Sequence, residues 1–579
     1  MLTIYVFLAI HAVIYITAVP NRGSTPTLLL RESYREDGKV KNRTLANLTH
    51  WPTPVVEAMQ VALKGGRLVA TDDLEIIASR SHGDAALVLG VMNDLGLPKL
   101  LAPRANRQRS LVLGMIAGRV LLPSTKLALT RWWTTSTLPE LLGIEDSNED
   151  DLYEAMDWIL SHQAVIEKRL AARHLEGGSM VLYDISSSYF TGRHCPIATH
   201  GYSRDHRGDR PQIVFGVLTD AEGCPVAVEV FEGNTSDSTT VLGQIEKVKA
   251  RFGLAHLVFV GDRGMIKKTQ VDVLRAMGGV DWVSAITSKQ LQSLRDQGAI
   301  QLGLFDERNL VEVTSPDFPG ERLVVCRNPA LAVERARKRE ALLQATEADL
   351  RALQANVHAG RIKDPAKIHQ RAGRLVAKKK MGKHFTLNVG PDGFTFCRNE
   401  DRIREEAELD GFYAIRSSLT HAQEPDPADL VRTYKRLSQV ERVFRSMKTV
   451  DLQVRPIHHR TEDRVRAHIF LCMLSAHVIW HLNRRLEAYL FADPELRALH
   501  ATEDPISAVQ RSQEGQRKVA DLTSQDDHPL HSLKTLLKEM ATLTRVSLRI
   551  RGQQHPPWTQ DATASAYQRA VFAAAGVAV

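Results

Sequence analysis

No CxxC pair occurs in this 579-residue sequence, and its five cysteines, Cys195, Cys224, Cys326, Cys397 and Cys472, are widely scattered and odd in number. That pattern supplies neither a disulfide framework nor the paired-cysteine signature of a zinc site, and it fits a reducing cytosol. No GxxxxGK[ST] is present, which excludes a P-loop nucleotide engine. Aromatic residues are only 6% of the chain, while 43% hydrophobic and 25% charged residues are ordinary for a globular protein and exclude wholesale disorder. No large excess of either charge exists. The net charge of +8 and pI near 9.1 lean towards polyanion partners, nucleic acid above all, but spread over this length they also fit a plain solvated surface.

One long apolar run stands at the start. Leu2 to Val19 is nearly uncharged and about long enough to span a bilayer, yet no basic residue precedes it as a signal peptide requires. It runs directly into strand-and-turn sequence. The expectation is an over-long gene start covering residues 1–14, with the native protein beginning near Tyr15, and no membrane partner.

Length implies two to four domains. Residues 1–80 read as a β-hairpin region, with Tyr15–Val19 and Thr27–Glu32 flanking the turn-forming PNRGS. Residues 81–176 carry apolar residues at three and four spacing (Leu87, Val91, Met92, Leu95), with helices at Ser110–Leu121 and Asp151–Leu170. This helical domain fits DNA binding and scaffolding equally. Trp132 and Trp133 belong to its core rather than to a base-stacking surface.

From Met180 the texture changes. MVLYD, QIVFGVLTD and PVAVEVFEGN are three consecutive strands, the last two joined by the turn-rich TDAEGCP. A helix from Ser238 to Arg251 follows, then the strand HLVFVGD, a helix from Lys267 to Met277 and the strand VDWVSAIT. The order β-β-β-α-β-α-β is that of a ribonuclease-H-like core, a mixed sheet with helices on both sides. The predicted fold class is therefore α/β (mixed α+β). The core occupies 177–287, is interrupted by an insertion at 288–409, and resumes at 410–490. The insertion begins with LVEVTS and RLVVCR and contains a helical hairpin from Ala330 to about Lys380. Its apolar stripe is Leu342, Leu343, Leu350, Leu353 and Val357; KKKMGKH ends it as a solvated helix end that also suits phosphate. In the second part, PDPAD starts a helix Leu430–Thr449, and another runs from Arg464 to about Leu490. Residues 491–579 read as a polar tail with no legible fold.

Asp184 and Asp262 end the first and fourth core strands, which neighbour each other in such a sheet. Two adjacent carboxylates repel unless neutralised, and hard oxygen ligands select Mg²⁺ or Mn²⁺. Tyr434, Glu441 and Lys448 are spaced by seven, so one helix would carry all three on one face. Such a face suits metal and phosphate better than an apolar core. Singly, each residue has a plain alternative: a strand-end Asp caps or turns the chain, and Glu441 beside Arg442 and Arg445 makes a surface ion pair. After that helix come Arg455, His458, His459, Arg460, Arg464 and Arg466, a basic loop that suits DNA beside the metals or plain solvation. His468 is a satisfied histidine near a helix start, and Asn234 a turn residue.

These pieces together resemble the DDE insertion-sequence transposases. YDISSSYF is similar to that family's first-Asp strand, FVGDRGM to its second, and the helix YKRLSQVERVFRSMK to its Y-x2-R-x3-E-x6-K signature. Leu437 departs from the signature's Arg, and the adjacent Arg436 would point about 100° away. The gap before Glu441 resembles the branch with a large insertion, and PNRGSTPTLLLRESYR, GYSRDHRGDRPQIVFG and VRPIHHRTEDRVRAHIF look similar too. The resemblance spans roughly Ala18 to Leu490. It implies catalysis by Asp184, Asp262 and Glu441 around Mg²⁺ (Mn²⁺ substituting), as two ions. The signature helix and the basic loop after it together offer Tyr434, Lys448, Arg436, Arg455, His459 and Arg464 as the expected DNA contacts. The partners the resemblance implies are terminal inverted repeats and target DNA, bound by a homodimer or higher assembly on paired ends. A cytoplasmic, nucleoid-associated place in a bacterium goes with it. Strand transfer exchanges one phosphodiester for another and needs no ATP, in keeping with the missing P-loop. Two alternatives use the same residues: a related nuclease that cleaves without joining, and a catalytically inactive DNA-binding derivative.

Overall fold

The computed structural model describes residues 13–65, 71–301, 305, 309–390, 393–507, 509–552 and 556–578. It divides into two compact units, one of residues up to Ser79 with Arg545–Ala562, the other of Arg80–Thr544 with Thr563–Val579.

In the first unit β1 (Val13–Asn21), β2 (Ser24–Glu36) and β3 (Lys39–Asn47) form an antiparallel sheet in that order. Asn21 pairs with Ser24 across the turn, so the hairpin forms around PNRGS as expected. The third strand was not legible, because KVKNRTLAN is almost wholly exposed and shows no apolar alternation. Helix α1 (Thr53–Leu63) and strand β4 (Leu74–Ser81) follow. Of the run expected to be an over-long start, residues 1–12 lie outside the described residues, and Val13 and Ile14 open β1.

The second unit begins with seven helices: α2 (Gly83–Asp94), α3 (Leu97–Leu101), α4 (Arg107–Leu121), α5 (Lys126–Trp132), α6 (Leu138–Leu142), α7 (Glu149–Ser161) and α8 (Gln163–His174). The single helix predicted from Asp151 is two, broken at His162; an Asn148–Asp151 capping box starts the first. Trp133 is buried, as a core residue should be.

The sheet strands are β5 (Met180–Tyr189), β6 (Gln212–Thr219) and β7 (Pro225–Glu232). After α9 (Asp237–Glu246) with its π turn come β8 (Leu257–Gly261), α10 (Lys268–Met277) and β9 (Val280–Ala285). Strands β7, β6 and β5 are antiparallel, and β8 then β9 run parallel to β5. That 3-2-1-4-5 order is the ribonuclease-H-like topology expected from the sequence. The sheet then continues. After α11 (Ser288–Asp296), strands β10 (Leu310–Val313) and β11 (Arg322–Arg327) join it through the later strand β14 (Phe412–Ser417), giving eight strands in the order β10-β11-β14-β9-β8-β5-β6-β7. The expected insertion at 288–409 is thus too wide, since its first strands belong to the main sheet.

What remains apart is α12 (Pro329–His358), α13 (Pro365–Lys378), the hairpin β12 (Phe385–Gly390) with β13 (Gly393–Arg398), and α14 (Glu400–Ala407). Leu343, Leu350, Leu353, Ile368, Phe385 and Phe394 close a separate core there. Lys379 pairs with Asp349 and Lys383 with Glu406, as a solvated helix end would.

The chain returns through β14 (Phe412–Ser417), antiparallel to β9, then α15 (Pro427–Lys435), α16 (Leu437–Arg445), a π turn at Ser446–Val450, and α17 (Glu462–Arg485). Asp426 caps α15 through Ala428 N, and Pro427 fits the first turn. The predicted single helix Leu430–Thr449 is therefore three pieces. Around Arg436 the bonds tighten, with Gln439 N donating to Arg436 O over three residues at 2.8 Å.

The tail in which the sequence shows no legible fold is folded. Helices α18 (Pro494–Thr502), α19 (Gln513–Asp521) and α20 (Leu533–Met540) precede β15 (Thr544–Ile550), β16 (Trp558–Asp561) and α21 (Ala566–Ala575). Strand β15 lies between β16 and β4 in a three-stranded sheet, so the two ends of the chain share one sheet. Helix α20 packs on α2, and α21 packs on α2 and α17.

Candidate active site

The parallel register of β5 and β8 pairs Leu182 with Val260 and Tyr183 with Gly261. The next step places Asp184 abreast of Asp262, on strands about 4.8 Å apart. Side chains alternate along a strand, so Asp184 shares a face with Ser186 and, across the antiparallel register, with Phe215. Phe215 meets Phe444 of α16 edge-on at 5.7 Å, and Ser186 accepts from Lys448. The Asp184 face is thus the one that α16 covers. The opposite face carries Tyr183, against Phe259.

Asp184 is partly buried, and Ile185 N donates to its Oδ1 at 2.7 Å. Burial, reinforced by the nearby Asp262 charge, pushes its carboxyl up to about 7. Asp262 is exposed and accepts from the Tyr434 hydroxyl at 3.1 Å. Burial and the Asp262 charge keep that phenol protonated, so it remains a donor. Glu441 is exposed on α16, between Leu437 and Phe444, which are buried. None of the three acids makes an ion pair among the described residues. Their oxygens are not drawn together within 4.8 Å; among the described residues only a histidine–cysteine group elsewhere meets that measure. An abreast pair of carboxylates without a basic partner, beneath a helix that offers a third, is a donor set of hard oxygens that fits a divalent cation.

The seven-residue register of Tyr434, Glu441 and Lys448 does not run along one straight helix, because Arg436 and the π turn interrupt it. Tyr434 and Lys448 nevertheless both reach the Asp184 face, one at the end of β8 and the other on β5, with Glu441 between them in the chain. Lys448 is tightly held: Nζ lies 2.7 Å from Asp205 Oδ1, 3.1 Å from Ser186 Oγ and 2.8 Å from Ser187 O. Arg455 reaches the other oxygen of Asp205 at 3.2 Å and stacks over Tyr189 at 4.9 Å. Tyr189 N donates to the same carboxylate. The Asp205 side chain is only 6% exposed, so one carboxylate organises two cations beside the site. Sequence reasoning missed Asp205. It sits in the charged loop GYSRDHRGDR, where nothing local separates a buried acid from a solvated one.

Arg436 turns away from the acids, towards Glu222 at 3.8 Å, as its helical angle requires. It lines a cavity of about 1180 Å³ together with Arg442, Arg445, Arg484, Arg497 and Arg511. This arginine-lined groove, which also holds Glu222, Glu487 and Asp493, was not legible either, because its segments lie as far apart in the chain as Glu222 and Lys518. His459 and Arg464 are directed to the helical region instead. His459 packs edge-on to Tyr153, and burial, with Lys126 and Arg464 nearby, lowers it to about 3. It carries no charge for a phosphate at neutral pH. Arg464 stacks over Tyr153 at 4.8 Å and lies 3.6 Å from Asp157. His468 is buried and its Nε2 donates to Val454 O at 2.8 Å, but its buried Nδ1 has no hydrogen-bond partner, so the satisfied histidine expected is satisfied at one nitrogen.

Residues 190–478 match the family model described as a transposase DDE domain, and residues 15–71 match that of the N-terminal domain of IS1634 family transposases. The first match contains Asp262 and Glu441 and begins six residues after Asp184. Among solved structures, a cryo-EM piggyBac transposase synaptic complex with hairpin DNA is similar over 79% of this chain and 76% of that one. The identity is 8% and the TM-score 0.34, too distant a likeness to add to the argument. No curated protein matches the chain.

Proposed function

This chain belongs to the insertion-sequence DDE transposases, which cleave DNA and transfer strands using divalent metal ions, and on that premise we propose that Asp184, Asp262 and Glu441 are its catalytic acids. The observation that carries the assignment is the placement of Asp184 abreast of Asp262, unpaired with any cation, on the sheet face covered by the Glu441 helix. Two Mg²⁺ ions held there, with Mn²⁺ able to substitute, would activate the attacking oxygen and stabilise the departing one.

The chain's own residues prepare that chemistry. The Tyr434 hydroxyl fixes one oxygen of Asp262 and leaves the other free to ligate. Asp205 holds Lys448 and Arg455 at the rim, where an incoming phosphate competes with the carboxylate for them. The groove beside α16 offers Arg436, Arg442 and Arg445 to the DNA backbone. The DNA is the element's terminal inverted repeats and then its target, engaged by two or more protomers on paired ends in the bacterial cytoplasm.

The test is cleavage and joining with oligonucleotide ends and a target plasmid. Asp262→Asn and Glu441→Gln should each abolish both steps in Mg²⁺ while DNA binding persists. Cleavage by either variant at the wild-type rate overturns the assignment. Cleavage without any joined product in the wild type would favour the nuclease alternative.

A further inference from the structure

Four groups that the carboxylate site does not use converge between α8, the turn joining β6 to β7, and α17. His174 ends α8, Cys224 ends the turn, and His477 and His481 stand one helical turn apart on α17. One ligand atom from each lies within 4.8 Å of all the others. From Cys224 Sγ the distances are 3.3 Å to His477 Nδ1, 3.9 Å to His481 Nε2 and 4.0 Å to His174 Nε2. A tetrahedral zinc ion, with Zn–S near 2.3 Å and Zn–N near 2.0–2.1 Å, requires sulfur–nitrogen separations of about 3.5 Å. The sulfur distances already bracket that value.

The surroundings match the ligands. Cys224 and His477 are buried, and the three imidazoles crowd against one another with ring centroids 4.7–5.8 Å apart. Behind the first ring, His174 Nδ1 lies 3.3 Å from Asp220 Oδ2, and a carboxylate in that position fixes a ligating histidine's tautomer. One Zn²⁺, one thiolate and the Asp220 carboxylate sum to zero charge. The contact of His477 Nδ1 with Pro225 O, at 3.0 Å, is replaced if that nitrogen ligates.

We propose that His174, Cys224, His477 and His481 form a closed, structural zinc site, separate from the catalytic acids. Binding exchanges the thiol proton of Cys224 for the metal and releases that proton to water. The site's purpose follows from the turn it clamps. Glu222 of the same turn meets Arg436 and Arg484. Gly223, at φ +83°, lies so close to α16 that a Cβ there would stand 2.6 Å from Gln439 Cβ. Pinning the turn to α8 and α17 therefore pins the seat of the Glu441 helix. The sequence hid this site because only His477 and His481 are close in the chain, while His174 and Cys224 stand hundreds of positions before them.

The full-length protein, purified without chelator or histidine tag, should contain one zinc per chain by inductively coupled plasma mass spectrometry. Cys224→Ser and His481→Gln should contain little or none, whereas Asp262→Asn keeps its zinc. The metal-stripped wild type, titrated with Co²⁺, should show a near-ultraviolet thiolate charge-transfer band and strong tetrahedral visible bands that saturate at one equivalent. If Cys224→Ser fails to fold, the wild-type zinc content and cobalt spectrum still decide. Wild-type protein without zinc and without a cobalt thiolate band overturns the proposal, as do folded variants that keep full zinc.

Discussion

Tyr434 shows how much of this site rests on a single hydrogen bond. Its hydroxyl is held 3.1 Å from Asp262, the exposed member of the abreast pair. A hydrogen bond to a charged group contributes about 1.5–3 kcal/mol. Tyr434→Phe should therefore slow single-turnover cleavage by about tenfold or more while leaving DNA affinity unchanged, and equal rates would remove Tyr434 from the site. Lys126 gives a second residue-scale prediction, away from the acids. It is buried at the start of α5, and burial, with Arg119 adding repulsion, lowers its ammonium to about 7. Between pH 7 and its ordinary value near 10.5 the unfolded chain binds a proton that the folded one does not, so this group makes stability rise with pH across that window. The slope is at most about 1.4 kcal/mol per pH unit. Lys126→Met should flatten the rise, read as urea midpoints from pH 7 to 10; an unchanged profile contradicts the burial argument. The proposed acids Asp184, Asp262 and Glu441 could be picked out from sequence because each stands in a local pattern, a strand end or a helix signature. Asp205 was not, since its importance comes from Lys448 and Arg455, more than 240 residues away.

Among the elements, the strands of the core could be read because continuous apolar runs such as HLVFVGD have few alternatives to burial on both faces. Their order then fixed which carboxylates become neighbours. The pieces that escaped reading depend on partners rather than on local pattern. β10 and β11 look like the start of an insertion until β14 supplies the edge they pair with. The break at Arg436 and the π turn at Ser446–Val450 leave no mark in a sequence with a sound seven-residue spacing. The β6–β7 turn makes the element-scale prediction. Gly223→Ala adds a Cβ that must displace α16 and imposes a side chain at positive φ, costing about 1–3 kcal/mol. Thermal melting should drop by several degrees and cleavage should fall with it; Gly243→Ala, where a Cβ meets open space on a helix, should do neither.

Across the whole molecule, the last segment of the chain is structural. Val571, Phe572 and Ala575 of α21 are buried, with α21 packed on α2 and α17. Phe572→Ala should cost about 3–5 kcal/mol, measured by denaturant unfolding of the helical region, and a cost under about 1 kcal/mol would mean that the helix is dispensable. The tail defied reading because its helices are short and its strands find their partner at the other end of the sequence, in β4. The central claim concerns the acids. It is tested most directly by anomalous diffraction from crystals of the protein soaked in Mn²⁺. The account predicts manganese peaks bridged by Asp184 and Asp262, with a Glu441 oxygen in coordination; peaks that leave Glu441 turned to solvent, or none between the two aspartates, would contradict it.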